Sequence, residues 1–93
     1  MTHTARLVNS CLGEWEVYVA IDAPSPREWP EHLFARTVPV PTVAERSAAL
    51  AGLGYEVVSG QRWRWDELDD DDTGPVRLVA SVTVHRIASG AAR

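Results

Sequence analysis

The chain has 93 residues, of which 45% are hydrophobic and 24% are charged, and this composition suits one domain with a single modest core. All nine basic residues are arginine, and they stand against thirteen acids for a net charge of −4. Six of the acids fall within residues 66–72, so the rest of the chain is close to neutral. This balance argues against a large basic surface for nucleic acid and against an acidic surface that mimics it.

The cellular compartment is indicated by features that the sequence lacks. Cys11 is the only cysteine, so an intrachain disulfide is excluded. Residues 1–10 lack the apolar segment of a secretory signal, and no apolar run reaches the roughly 18–20 residues of a membrane span. We therefore expect a cytoplasmic protein that makes no membrane contact.

The first elements in the chain predict a β-hairpin. Residues 5–12 read as a strand of mixed pattern, and Gly13 and Glu14 follow as a turn. Residues 15–22 (WEVYVAID) alternate with period two, which is typical of a strand with one buried face. The short turn predicts that the two strands pair antiparallel.

The next segment predicts a loop followed by a third strand. Three prolines exclude a helix interior or a central strand for residues 23–30, and this loop carries Trp29. Residues 31–38 (EHLFARTV) then read as a strand that Pro39 and Pro41 end.

A helix is predicted over about residues 43–53. Thr42 and Glu45 have the spacing of a capping box, in which each side chain accepts a hydrogen bond from the other residue's backbone N–H. Gly54 supplies the glycine that commonly follows a helix. The pattern predicts an inward side flanked by small alanines: Val43, Ser47, Leu50 and either Leu53 or Gly54, with Ala44, Ala48 and Ala51 beside them.

Two further strands complete the predicted fold. Residues 55–60 begin a fourth strand that can continue through 61–65, and the acidic residues 66–74 read as a solvated loop. Residues 75–87 alternate regularly and give the strongest strand signal. We predict a single α+β domain over residues 1–93, with an antiparallel sheet of about five strands, one helix packed on it and the order β-β-β-α-β-β. Residues 1–4 and 88–93 are predicted to be frayed.

The stretch QRWRW leaves three interpretations open. Its alternation directs Trp63 and Trp65 to one side of a strand and Arg62 and Arg64 to the other. The indoles either cover the core, form an exposed contact patch for a protein, or stack nucleic-acid bases while the arginines hold phosphates. The opposite directions of rings and cations disfavour the third interpretation.

The acidic run offers a partial match to a calcium loop. Asp69, Asp71, Thr73 and Gly74 match its first positions, but Ala80 stands where the bidentate glutamate is required. Clustered aspartates can still bind cations weakly. A solvated hairpin loop fits the run better, and we predict no metal ligands and no cofactor.

Catalytic and zinc-binding patterns are missing from the sequence. His3, His32 and His85 are isolated, and Cys11 has no second cysteine at metal-binding spacing. A pair between Cys11 and His32 or His85 could be built on neighbouring strands but has no motif behind it. We expect no catalytic residues and a protein that is not an enzyme.

Four segments resemble a known family along nearly the whole chain: GEWEVYV, REWPEHLFART, VPTVAERSAALAGLGYEVV and PVRLVASVTV. They are similar to small actinobacterial proteins grouped as a domain of unknown function. The resemblance implies an actinobacterial, cytoplasmic setting. It brings no activity, cofactor or site residue.

These observations favour a small binding module that contacts another protein or a second copy of itself, in a regulatory or accessory role. Four tryptophans exceed what so small a core can fully enclose, which favours a partner surface. We predict that this surface combines five residues: Trp29, Trp63, Trp65, Arg62 and Arg64. A nucleic-acid-binding regulator that uses Arg62 and Arg64 is the first alternative, and a small enzyme or ligand carrier is the second.

Overall fold

The computed structural model describes residues 1–9, 13–68 and 77–87. Six strands and one α-helix follow each other along this part of the chain, with a short 3₁₀ turn at Pro26–Glu28. The elements are β1 (Thr2–Asn9), β2 (Trp15–Ala20), β3 (Glu31–Leu33), α1 (Val43–Gly52), β4 (Tyr55–Val57), β5 (Arg64–Leu68) and β6 (Arg77–Arg86). The predicted α+β class is confirmed.

All strand pairs in the sheet are antiparallel, and the strand order is β3-β2-β1-β6-β4, with β5 also paired to β6. β4 and β5 lie one after the other along the same side of β6, because Val57 is opposite Val84 while Arg64 is opposite Ser81. The predicted fourth strand is therefore two strands, and the second of them, β5, runs into the acidic run. Residues 58–63 separate the two strands, with Gly60 at a positive φ of 85°.

The core lies between α1 and one face of the sheet. Period-two alternation sends every second side chain of β1, β2 and β6 to this face, as the sequence indicates. The fully enclosed side chains include Leu7, Val17, Val19, Leu50 and Val84. No α-helix of the described residues lies on the other face of the sheet.

The helix begins and ends where the sequence predicts. Thr42 Oγ1 accepts from the backbone N–H of Glu45 at 3.1 Å, and Glu45 Oε1 accepts from the backbone N–H of Thr42 at 2.9 Å, which completes the capping box. Gly54 follows the helix with φ of 94°, a conformation that glycine adopts without strain. The helix start is thus fixed by its own sequence.

The side of the helix that faces the sheet differs from the prediction. Arg46, Ala49 and Leu50 are buried, Leu53 packs partly against the core, and Val43 is 57% exposed. The predicted inward residue Ser47 and the predicted flanking residues Ala44, Ala48 and Ala51 are also exposed. The buried side of the helix is rotated from the predicted one because the stem and guanidinium of Arg46 occupy the space above two indoles. A hydrophobic pattern alone does not indicate a buried arginine.

Several predicted element ends also require correction. β1 begins at Thr2, so Thr2–Thr4 pair with β6 rather than fray. β3 stops at Leu33 rather than at residue 38, because Ala35 has a positive φ of 54° that leaves the extended region. Within the predicted solvated loop, Asp66, Glu67 and Leu68 belong to β5.

Some predictions fall outside the described residues. These are the calcium-loop positions in the acidic run and the frayed segment 88–93. Cys11, with its possible catalytic pairing to a histidine, also falls outside them. In the part of the chain that the structure describes, no group of three or more histidine, cysteine, aspartate or glutamate side chains could hold a metal ion.

Candidate interaction edge

The strand β5 forms an outer edge of the sheet, and its five residues are all exposed. It pairs with β6 on one side only, with Arg64 opposite Ser81 and Leu68 opposite Arg77. Among the described residues no strand pairs with its other side. An edge of this kind presents backbone N–H and C=O groups that another strand can bind.

The backbone groups that point outward can be assigned from the hydrogen-bond pattern. The N–H of Val58 donates to the carbonyl of Thr83 at 3.0 Å, so the polar groups of Thr83 point towards the β4–β5 side of β6. Because this direction alternates along a strand, the polar groups of Ser81 and Val79 point the same way. Their partners Arg64 and Asp66 therefore bond inward to β6, and the polar groups of Trp65 and Glu67 point outward.

The two indoles of the QRWRW stretch lie on the helix side of the sheet. Trp65 is opposite Ala80, which faces the core, and its ring meets the ring of Trp15 edge to face at 6.0 Å. Trp63 is partly buried against the core, whereas Trp65 is 44% exposed. The two rings thus combine two of the predicted roles, one mainly as core cover and one mainly as exposed surface.

Arg46 of α1 fixes both rings. Its guanidinium carbon lies 5.1 Å from the ring centroid of Trp63 and 5.4 Å from that of Trp65, within the range of cation–π contact. The Nε of Arg46 donates to the carbonyl oxygen of Pro41 at 2.9 Å. The residue is only 6% exposed, so these contacts hold the exposed indole of Trp65 in one orientation.

The surroundings of Arg46 are apolar for a cation. Burial lowers the pKa of its guanidinium, which still remains charged at neutral pH. No carboxylate of the described chain pairs with it within 4.0 Å. Trp63 Nε1 is likewise buried without a hydrogen-bond partner among the described residues. The ring faces therefore provide the main compensation for the buried charge.

The opposite side of β5 carries charge. Arg64 and Asp66 alternate with Trp65 and lie on the face of the sheet that points away from α1, as Ser81 and Val79 opposite them do. Arg62 is exposed beside the interruption between β4 and β5, where a notch of about 160 Å³ is lined by Gln61, Arg62, Arg64, Ser81, Val82 and Thr83. The alternation of rings and cations predicted for this stretch is confirmed.

Trp29 lies apart from the other four predicted surface residues. Its ring stacks on Tyr18 of β2 at 5.5 Å with an interplanar angle of 16°, and its Nε1 donates to the carbonyl of Ile21 at 2.9 Å. It is partly buried against the face of the sheet that points away from α1. The structure brings Trp63, Trp65, Arg62 and Arg64 to the β5 edge and does not bring Trp29 there.

Two residues of this edge were missed by sequence reasoning. Arg46 was absent from the predicted inward side of α1, although its position four residues before Leu50 is a helical spacing that could have indicated it. Asp66 falls within the predicted loop of residues 66–74, although it continues the period-two pattern of Arg62 and Arg64. Both residues are charged, and a charged residue in a sequence pattern predicts a position that faces solvent.

The histidines do not form a common site. His85 contacts Glu56 at 3.1 Å, while the ring of His3 meets Tyr55 and the ring of His32 meets Phe34. An open groove of about 450 Å³ runs between α1 and the β3 end, lined by His32, Phe34, Glu45, Ala48, Ala49, Gly52 and Leu53. Glu45, the carboxylate in this lining, is paired with Arg36 at 2.6 Å.

The chain belongs to the Family of unknown function (DUF6303), whose model matches residues 1–92. The resemblance to a domain of unknown function is thereby confirmed, and its actinobacterial setting stays a prediction. No curated protein and no solved structure matches the chain. Within the described residues, α1 is too short to cross a membrane, and no other α-helix is present.

Proposed function

We propose that this member of the family is a protein-interaction module that binds an extended segment of protein along the free edge of β5. The observation that carries the proposal is the outward direction of the backbone groups of Trp65 and Glu67, on a strand whose five residues are all exposed. Strand addition uses such groups for affinity and uses side chains on the two faces for specificity.

The indole of Trp65 supplies the side-chain part of this edge. It is 44% exposed and is held between Arg46 and the ring of Trp15. Because its orientation is already fixed, a partner loses less conformational freedom at this contact than at a mobile side chain. Tryptophan is also a side chain that commonly dominates binding energy at protein interfaces.

The charge around this edge favours protein over nucleic acid. Bases that stack on Trp65 would need cations on the same side of the strand, but Arg64 projects to the opposite face. The cation next to the ring, Arg46, is 6% exposed and cannot reach a phosphate. Asp66 and Glu67 further add negative charge along the strand.

A proline at position 67 tests the role of the backbone. The N–H of Glu67 points away from β6, so Glu67→Pro removes an outward donor and leaves the ladder with β6 intact. Glu67→Ala is the matched control, since it removes the same side chain and keeps the N–H. The two variants should have similar melting temperatures.

We expect proteins captured by the wild-type chain from its own cells to be captured by Glu67→Ala and lost with Glu67→Pro. A second variant, Trp65→Ala, should weaken capture roughly tenfold or more, as the loss of an anchoring side chain does. Partners that bind the folded Glu67→Pro variant as well as the control would contradict binding through this edge.

A further inference from the structure

We infer that the strand which pairs with β5 is β5 of a second copy of this chain, in a register that places Trp65 opposite the partner's Trp65. The inference rests on the proposed function, because it names the partner of the same edge. It is carried by the charge pattern of β5 and by the direction of its backbone groups.

Symmetry limits the registers that two identical edge strands can adopt. A two-fold axis perpendicular to the sheet pairs the strands antiparallel and keeps each helix on the same side of the joined sheet. Residues that face each other must then point to the same face, so the axis passes through one residue, which meets its own copy. For β5 the choice is among the five positions Arg64–Leu68.

Charge excludes most of these five registers. An axis through Arg64, Asp66 or Glu67 sets that residue against an identical charge, which destabilises a strand pair. An axis through Leu68 joins the strands only at their ends. An axis through Trp65 remains, and it places Arg64 opposite the partner's Asp66 and Asp66 opposite the partner's Arg64.

The backbone agrees with this register. Residues with outward polar groups must face each other, and the axis through Trp65 pairs two outward-pointing residues that can exchange both hydrogen bonds. The exposed part of each Trp65 ring then lies beside the partner's ring on the helix side. The two arginine–aspartate pairs lie on the other side, so both faces of the joint are complementary.

The experiment uses charge exchange between positions 64 and 66. R64D leaves acids at both positions, and D66R leaves arginines at both. Two copies of either variant would therefore set like charges opposite each other. In an equimolar mixture the acids at positions 64 and 66 of one chain face the arginines at positions 66 and 64 of the other. The double variant R64D/D66R restores opposite charges between identical copies and also controls for folding.

We expect sedimentation velocity to show a concentration-dependent dimer for the wild-type chain and for R64D/D66R. Each single variant should associate about tenfold or more weakly, since attraction at two symmetric pairs becomes repulsion. The mixture should recover dimers that native mass spectrometry identifies as mixed. Glu67→Pro should be monomeric.

The outcomes separate this inference from the proposed function. A wild-type chain that stays monomeric up to about 1 mM overturns self-pairing, since specific contacts are rarely weaker. If protein capture in that case still depends on the N–H of Glu67, strand addition stands with a different partner. A wild-type dimer whose single variants associate normally, or whose mixture shows no gain, overturns the register.

Discussion

The sheet has β3 at one outer edge and β5 at the other. Both edges are attached to α1, through its adjacent residues Glu45 and Arg46. Arg36, three residues beyond β3, binds Glu45 through two hydrogen bonds of 2.9 and 2.6 Å. Arg46 lies on the indoles of Trp63 and Trp65 at the β5 edge. One edge is thus attached by an ion pair and the other by a stacked cation.

The difference matters because the two attachments respond to different conditions. The carboxylate in the Arg36–Glu45 pair titrates and lies at a surface where salt screens charge. The guanidinium of Arg46 stays charged at any ordinary pH, and its partners are neutral rings. The β3 strand is also short and stops at Leu33, before the positive φ of Ala35, whereas β5 continues for five residues. The edge that offers the longer binding surface has the attachment that is less sensitive to pH and salt.

The largest effect is expected from Arg46→Met, which keeps an apolar stem and removes the planar cation. Two cation–π contacts and one hydrogen bond to Pro41 are lost, and we expect the free energy of unfolding to fall by about 2 kcal/mol. Urea unfolding followed by tryptophan fluorescence measures it.

Arg36→Met serves as the matched control at the other edge. It should lower the free energy of unfolding by less than Arg46→Met does. If Arg36→Met destabilised the fold more than Arg46→Met, the ranking of the two attachments would be reversed.

A pH dependence is expected at the β3 edge. The hydrogen bonds from Arg36, followed by that from the backbone of Thr42, lower the pKa of Glu45 from 4.5 to about 2. A carboxylate with a lowered pKa stabilises the folded state above its unfolded value, and this contribution is lost as the pH falls from about 4.5 towards 2.

The stability difference between the wild-type chain and Glu45→Gln should therefore be present at pH 7 and shrink steadily below pH 4.5. Glutamine keeps the capping geometry, so the charge is the main change. Thermal melts of both proteins across this range test the prediction, and a constant difference would argue against the ion pair.

The smallest effect is expected from a pair of acids near β3. Burial, followed by the charge of Glu31, raises the pKa of Glu16 on the neighbouring strand β2. A carboxylate whose pKa is raised on folding destabilises the folded state at pH values above its unfolded pKa. Glu16→Gln should therefore raise the free energy of unfolding slightly at pH 7, and solvent screening keeps the gain small. The gain should vanish in acid, and its presence at pH 3 would point to another cause.

Local patterns predicted those parts of the fold that depend on neighbours in sequence. The hairpin of β1 and β2, the capping box at Thr42 and the alternation of β6 are all confirmed. The same patterns did not predict the early end of β3, because an alanine such as Ala35 does not indicate a positive φ. It also missed Arg46, because a charged residue normally faces solvent.

The sequence by itself determined the class of the fold, the limits of the helix and the alternation of rings and cations in QRWRW, since each of these follows from short-range spacing. Only the tertiary structure decided where that strand lies. Whether Trp63 and Trp65 are covered depends on how α1 rotates over the sheet, and the rotation depends on where Arg46 can keep its charge against two rings. The pairing of β5 with β6 decides which backbone groups of β5 point outward. The register of that pairing cannot be predicted from the period and composition of the two segments.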